Sequence, residues 1–354
     1  MSEGIRKALG RVTDAVDTVM EIVYQVVAIV FAFIAGGAVL YVTGYSPVKA
    51  YTAMAMGAFG DIFGIGQTLM QATPIIFTSI AFLVSYKAGL FNIGAEGQFL
   101  IGAIAATVAG IYLEGLPWII HAPLTLIAGM VAGGLWGFIP ALLKTRFEAH
   151  EVITTMMLSY VAQFLTSYLV NYPFKAPGWV SQTVRLPASA ELVRILPPTQ
   201  LSAGILIAVA LVAVVSFLLK RTILGYELRA IGFNPTAAEN AGIRINRGVI
   251  ISLVISGAIA GLGGAVEIMG VHKRFIDGFS PGYGWDGLAV ALVGGLNPVG
   301  SMLASILFGA LRSGGMIMAR STGVPLDINI LLQGLVILFV AAPALIRSLL
   351  RRRR

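Results

Sequence analysis

Six polar or aromatic side chains sit where glycine interrupts this chain's apolar runs. Asn92, Glu96 and Gln98 fall within GLFNIGAEGQFLI (89–101), and Trp285, Asp286 and Asn297 within GYGWDGLAVALVGGLNPVG (282–300). A helix broken inside a membrane frees backbone N–H and C=O groups. With nearby amides and carboxylates, those groups can hold a polar solute at membrane depth. The chemistry on offer is recognition rather than bond-making. Each residue also has a plainer use. Glu96 and Asp286 can be carboxylates stabilised by a helix N-terminus. Trp285 and its neighbour Tyr283 can stack on a base or sugar face, or belong to an interfacial aromatic belt. The order Asn, then Gly, then a small-residue helix recurs at Asn92–Gly94 and Asn297–Gly300, a weak internal symmetry between the halves.

A second constellation lies in the polar stretch Lys220–Gly248, where Lys220, Arg221, Arg229, Arg244 and Arg247 frame a short helix signal. Asn234 can cap it, Pro235 suits its first turn, Thr236–Ala241 propagate it, and Gly242 can close it. A chain this apolar gains little from a separate capped helix outside the membrane unless a partner docks there. The stretch is therefore a candidate coupling element, with Asn234, Pro235 and Gly242 shaping its helix and Arg229 among the cations that frame it.

Composition sets the frame for both. The 354 residues are 57% hydrophobic and 11% charged, and mean hydropathy is +0.88. Soluble domains carry about 25% charged residues, so this is an integral membrane protein. The net charge of +8 does not argue for nucleic acid, because much of it sits in short loops and at Arg351–Arg354, where membrane topology places it. There is no cysteine, and the three histidines, His121, His150 and His272, are far apart. No catalytic or metal-binding set is expected, and no cofactor. G-x-x-x-x-G-K-[ST], G-x-S-x-G and H-E-x-x-H are all missing.

Apolar runs of spanning length lie at about 19–43, 67–86, 97–113, 117–143, 149–171, 201–219, 249–270, 299–318 and 328–346. A short, glycine-rich tenth covers about 286–297. Counting it puts both ends of the chain, and most Lys and Arg, on one side, which the positive-inside rule favours. The expectation is an all-α polytopic integral membrane protein of about ten transmembrane helices with broken glycine-rich segments. Residues 1–18 would form a cytoplasmic N-terminal segment, 19–347 the transmembrane domain and 348–354 a basic cytoplasmic tail. Loop 220–248 would face the cytoplasm. Loop 171–200, with five prolines, would be a stiff outer excursion. Gly129, Gly133 and Gly137, and Gly257 and Gly261, form small-xxx-small ridges for tight packing within the chain or for a dimer seam. Glu267 and Arg312 lie in or near spans, where a charge suggests function unless it snorkels.

Four phrases resemble one family: GLFNIGAEGQFLIGA, EVITTMMLSYVA (151–162), LGYELRAIGFNPTAAENAGI (224–243) and GWDGLAVALVGGLNPVGSMLASILFGAL (284–311). They are similar to permeases of bacterial ABC importers for nucleosides and simple sugars, in the ribose and branched-chain amino acid permease superfamily. Asn92, Gly94, Glu96, Gly97 and Gln98 point to the nucleoside branch. The resemblance implies import of a nucleoside across the cytoplasmic membrane by alternating access. The implied partners are an ATP-binding subunit with tandem nucleotide-binding domains, which hydrolyses the ATP and whose groove would receive the helix Pro235–Ala241 with polar contacts from Glu239 or Arg229, a second and different permease chain, and a substrate-binding lipoprotein. The alternatives are a ribose-like sugar permease and an ion-coupled secondary transporter. The latter needs mid-span carboxylates, and Asp61, Glu96 and Asp286 are expected near span ends.

Overall fold

Proline, glycine and charge punctuate the apolar runs, and the helices begin and end at those marks. The computed structural model describes residues 25–351, with side-chain surroundings to residue 340. The expected segment 1–18 and residues 352–354 of the expected tail lie outside them. In chain order the helices are α1 (Gln25–Val42), α2 (Pro47–Phe59), α3 (Ile62–Lys87), α4 (Ala95–Tyr112), α5 (Trp118–Phe147), α6 (Glu151–Asn171), α7 (Gly204–Arg221), α8 (Ile223–Phe233), α9 (Pro235–Asn240), α10 (Ile245–Glu267), α11 (Tyr283–Val293), α12 (Pro298–Thr322) and α13 (Asp327–Arg351). A π-helical turn carries α10 on to His272. Eight helices are long and apolar enough to cross a membrane: α1, α3 to α7, α10 with its extension, and α12. Among the described residues, extended pairing is limited to the isolated bridges Gln182–Ile276 and Arg194–Ser202. The protein is all-α and multi-pass.

The expected count of ten is thus approximate. Eight long spans are present, α13 carries a shorter apolar stretch at Asp327–Val340, and the glycine-rich tenth is the 11-residue α11. That helix starts at Tyr283, three residues before the expected 286, because Gly282 adopts a left-handed φ of +93° and turns the chain into it. α2 has no counterpart among the expected spans. Pro47 sits at its first position, where the missing N–H costs nothing.

The chain divides into two units. One comprises the described residues up to Gly57 together with those from Gly314, and the other is Ala58–Ser313. In the first unit Tyr51 of α2 donates its hydroxyl to the Phe33 carbonyl of α1 at 2.6 Å. Phe31 of α1 stacks on Phe339 of α13.

The second unit is built on a glycine seam between α5 and α10. A Cβ on Gly133 would lie 2.4 Å from the Gly257 carbonyl oxygen, and one on Gly261 would lie 2.4 Å from that of Gly129. Only glycine permits backbones this close, and dispersion between touching helices replaces the hydrophobic drive that lipid cannot supply. Both ridges are spent on this internal seam. α4 crosses α10 equally closely, since a Cβ on Gly102 would lie 2.2 Å from Gly261 Cα.

The excursion 171–200 holds a single 3₁₀ turn, Ala188–Ala190. It is pinned rather than loose. Leu186 N–H donates to Lys273 O at 2.8 Å, and Leu192 N–H to Met269 O at 3.0 Å. Glu191 takes a forked pair from Arg185, the shorter bond 2.9 Å, and a contact from the Lys273 ammonium. Burial alone pushes the Glu191 carboxyl up, but the hydrogen bonds from Lys273 and Arg185 outweigh it and hold it below the usual carboxylate range.

Candidate functional site

The two glycine-rich breaks meet. The chain leaves α3 at Lys87 and turns at Gly89 (φ +76°). Asn92 then reaches Ser256, eleven residues along α10 from its start at Ile245, which is roughly 16 Å at 1.5 Å per residue. That is about half the thickness of a bilayer's hydrocarbon core. α4 therefore starts inside the bundle, not at its surface. α11 starts against it. A Cβ on Gly284 would lie 2.2 Å from the Glu96 backbone nitrogen, and Glu96 Oε2 accepts the Gly284 N–H at 2.6 Å. Two helix N-termini thus face each other across one carboxylate, which complements the partial positive charge of both.

This overturns the expectation that Glu96 and Asp286 lie at span ends. They are at helix ends, but these helices begin in the interior. Arg312 and Glu267 do not snorkel either. Arg312 of α12 donates to Asp286 at 2.5 Å, and its guanidinium lies 4.9 Å above the Tyr283 ring. Glu267 is buried, with His272 at 3.4 Å. Arg312 and Asp286 are paired inside the protein, as low dielectric demands.

The other expected residues divide by role. Asn92 is fully buried and spends both ends of its amide inside the chain. Its Nδ2 donates to Gln98 Oε1 at 3.0 Å and to Ser256 Oγ at 2.8 Å, and its Oδ1 accepts the Gly94 N–H at 2.9 Å. Asn92 and Gln98 tie the first break to α10. Asn297 is exposed and caps the start of α12, accepting from Val299 N–H at 3.0 Å. Of the six, Glu96, Trp285 and Asp286 come together, while Asn92 and Gln98 brace them from behind and Asn297 stands apart.

Four neighbours were missed by sequence reasoning: Tyr160 and Gln163 of α6, Ser280, and Arg312 in its role as the partner of Asp286. α6 buries Glu151, Thr155, Ser159, Ala162, Thr166 and Val170. Thr155 and Ser159 accept the Ile93 and Gly97 N–H groups at the first break. Those small residues recur every three or four positions, and that spacing marks the packed face. Read this way, the pattern would have placed Tyr160 and Gln163 on the open side. Tyr160 lies 6.3 Å, ring to ring, from Trp285.

At the end of the molecule where α7 gives way to α10, the polar stretch forms two helices, not the single short one expected. Leu228 of α8 is buried with Ala88, Leu90, Val249 and Leu253. A Cβ on Gly232 would lie 2.3 Å from the Lys87 carbonyl oxygen. α9 follows with the expected cap: Asn234 Oδ1 accepts the Ala237 N–H at 3.0 Å, and Pro235 takes the first position. Gly242 closes it at φ +85°, with Ile243 N–H returning to Ala238 O at 3.0 Å. Every residue from Asn234 to Gly242 except Ala238 is exposed, Glu239 included, and Phe233 beside them is 93% exposed. Arg229 donates Nε to the Gly225 carbonyl of its own helix at 3.2 Å.

The chain is 40% identical over 326 residues to the guanosine ABC transporter permease protein NupP of Bacillus subtilis, covering 91% of this chain and 93% of that one. It is 34% identical to the nucleoside ABC transporter permease protein NupB of Lactococcus lactis, over 93% of each. It is 36% identical to a glucose ABC transporter permease protein of Haloferax volcanii, over 89% of this chain and 86% of that one. No solved structure matches it significantly. A buried helix break, a paired interior and relatives of nearly equal length agree with the family model that matches residues 64–341: the chain belongs to the permease family described as the branched-chain amino acid transport system permease component.

Proposed function

We propose that this chain is a permease subunit of an ATP-driven importer that carries nucleosides across the cytoplasmic membrane by alternating access. It performs no bond-making itself. ATP hydrolysis belongs to a partner subunit with tandem nucleotide-binding domains, solute delivery to a substrate-binding lipoprotein, and a second, different permease completes the pathway. Both termini face the cytoplasm in this reading. The relatives described as guanosine and nucleoside permeases support the solute. Family membership sets aside the ion-coupled secondary transporter.

One structural observation carries the coupling assignment. α9 is capped at both ends and exposed on nearly every residue, yet it stands on α8, which is anchored in the bundle. A surface helix of six residues is too short to be stable alone. Its caps and its anchor maintain it, and its exposed residues, Asn234, Pro235, Glu239 and Gly242, are presented to a groove on the ATPase. Arg229 lies on the anchoring helix beside them. Glu96, Trp285 and Asp286 line the solute pathway, with Asn92 and Gln98 holding the break in place.

The test is co-purification in mild detergent, with uptake measured in proteoliposomes. A tandem ATPase, a second permease and a lipoprotein should come down with the wild-type chain. Deleting Pro235–Ala241 should abolish ATP-driven uptake of radiolabelled guanosine while the chain still inserts. Full uptake by the deletion variant would remove the coupling role. A second reading, import of a sugar, is favoured by the glucose permease relative, and the same assay with labelled glucose or ribose decides it.

A further inference from the structure

Beside the meeting point of the breaks lies a small cavity of about 60 Å³, lined by Glu96, Gln163, Thr166 and Ser280 among others. It holds two water-sized groups at most, so it is far too small for a whole solute, which needs roughly 300 Å³ or more. Its walls mix polar and apolar groups, with Asp277, Leu100, Phe275 and Gly278 completing the lining. Glu96 is fixed by the Gly284 N–H, and Thr166 is held by donating to the Gln163 carbonyl at 3.1 Å. Gln163 is exposed and also contributes to the cavity wall.

An aromatic pair stands near the cavity without lining it. Tyr160 precedes Gln163 by one helical turn, and Trp285 follows Gly284, the residue that binds the cavity's carboxylate. The two rings are 6.3 Å apart and inclined at 42°. Tyr160 is 46% and Trp285 36% exposed. Two aromatic faces open to the outside, near a pocket that accepts one or two hydroxyl-sized groups, match a ligand with a flat face at one end and adjacent hydroxyls at the other.

We propose that Tyr160 and Trp285 stack the base of a nucleoside in transit, while Gln163, Ser280 and Glu96 receive its ribose hydroxyls. This rests on the nucleoside-import reading and adds to it a specific subsite in the permease wall. A carboxylate accepts hydroxyl donors, and an amide and a hydroxyl can both donate and accept. Among the described residues that line the cavity there is no Lys or Arg, and Arg312 is committed to Asp286. The subsite therefore takes the neutral nucleoside and rejects the nucleotide. Purines, with the larger stacking face, gain more from it than pyrimidines.

The test uses the complete importer in proteoliposomes with matched pairs of labelled purine and pyrimidine nucleosides. Wild-type uptake of nucleoside, and not of glucose, tests the underlying reading independently of any variant. Trp285→Ala is expected to lower purine uptake about tenfold and pyrimidine uptake distinctly less, since stacking contributes on the scale of one decade per base. Trp285→Phe should restore most purine uptake. Gln163→Leu alters an exposed position, leaves packing alone, and should raise KM for nucleosides at least fivefold while sparing 2′,3′-dideoxy analogues; it carries the test if Trp285→Ala fails to assemble. An equal loss for both bases in Trp285→Ala, or unchanged KM in Gln163→Leu, overturns the subsite while leaving nucleoside import intact.

Discussion

Arg312 and Asp286 form an ion pair at 2.5 Å between α12 and α11, with side chains only 15% and 21% exposed. Removing one partner leaves a charge without compensation in a poorly solvated place, whereas removing both restores neutrality. Arg312→Leu should therefore destabilise the protein by about 3–5 kcal/mol, with Asp286→Leu/Arg312→Leu recovering more than half of that. Thermal unfolding in detergent, read as a double-mutant cycle, checks this. Additive losses would show that the two residues do not interact.

The glycine seam makes a sharper contrast. Gly261→Ala places a methyl 2.4 Å from the Gly129 carbonyl oxygen, so α5 and α10 must separate, at a cost of about 1–3 kcal/mol. Gly334→Ala in α13 meets nothing within 4 Å. It should be neutral or stabilising by up to about 1 kcal/mol, from helix propensity alone. Melting temperatures of the two variants, measured side by side, decide whether close approach or mere glycine content matters.

Asn92→Leu removes an amide that serves Gln98, Ser256 and Gly94 at once. Each buried group left without a partner costs about 1–3 kcal/mol. Loss of folded yield is expected, and Asn92→Asp, which keeps the acceptor for Gly94 but not the donor for Ser256, should fall between. Hydrogen exchange at residues 89–98 should rise in both variants. Unchanged exchange there would separate Asn92 from the break.

Glu191 gives the excursion 171–200 a pH dependence of known sign. Its carboxyl is held below the usual range by Lys273 and Arg185, so its stabilisation is complete above the unfolded value of about 4.3 and disappears as pH falls through the lower folded value. Limited proteolysis between pH 7 and pH 3 should show the excursion cut more readily at the acid end. Glu191→Gln should be cut readily at pH 7 already, with a flatter pH profile.

The Asn234 cap should matter in proportion to its single bond. Asn234→Ala should cost α9 about 1 kcal/mol, lowering the fraction of folded α9 and with it the ratio of solute moved to ATP hydrolysed. Asn234→Ser should retain most of that ratio. Equal ratios in all three proteins would mean that α9 needs no cap to act.

Much of this was legible from residue types. The long spans declared themselves by length and hydropathy, and α9 by Asn234, Pro235 and Gly242 at the right spacing. Both breaks were marked by glycine beside polar residues. Their meeting was not, because nothing local to Glu96 announces a partner 188 positions away at Gly284. Depth was hidden for a similar reason. Glu96 near a helix start looks like a surface carboxylate until Asn92 is seen to reach Ser256. The pairing of Asp286 with Arg312 also joins separate helices, so each read alone as a lone charge. α8 escaped notice because Gly225 and Gly232 look like breakers. In the fold they are points of backbone contact with Leu218 and Lys87.

That last contact has a mechanical meaning. Where Gly232 touches the Lys87 carbonyl and Gly89, main chain bears directly on main chain, and no side chain lies between to change rotamer and absorb a displacement. Gly232 lies only three residues before Pro235, so a push on α9 reaches the elbow at Lys87–Gly89 almost directly, through the last turn of α8. Five residues beyond that elbow, with no second helix interposed, the chain enters α4. The stiffest path away from the exposed helix therefore ends at the mouth of the first break, and its compliance is set by two hydrogen atoms on glycine α-carbons.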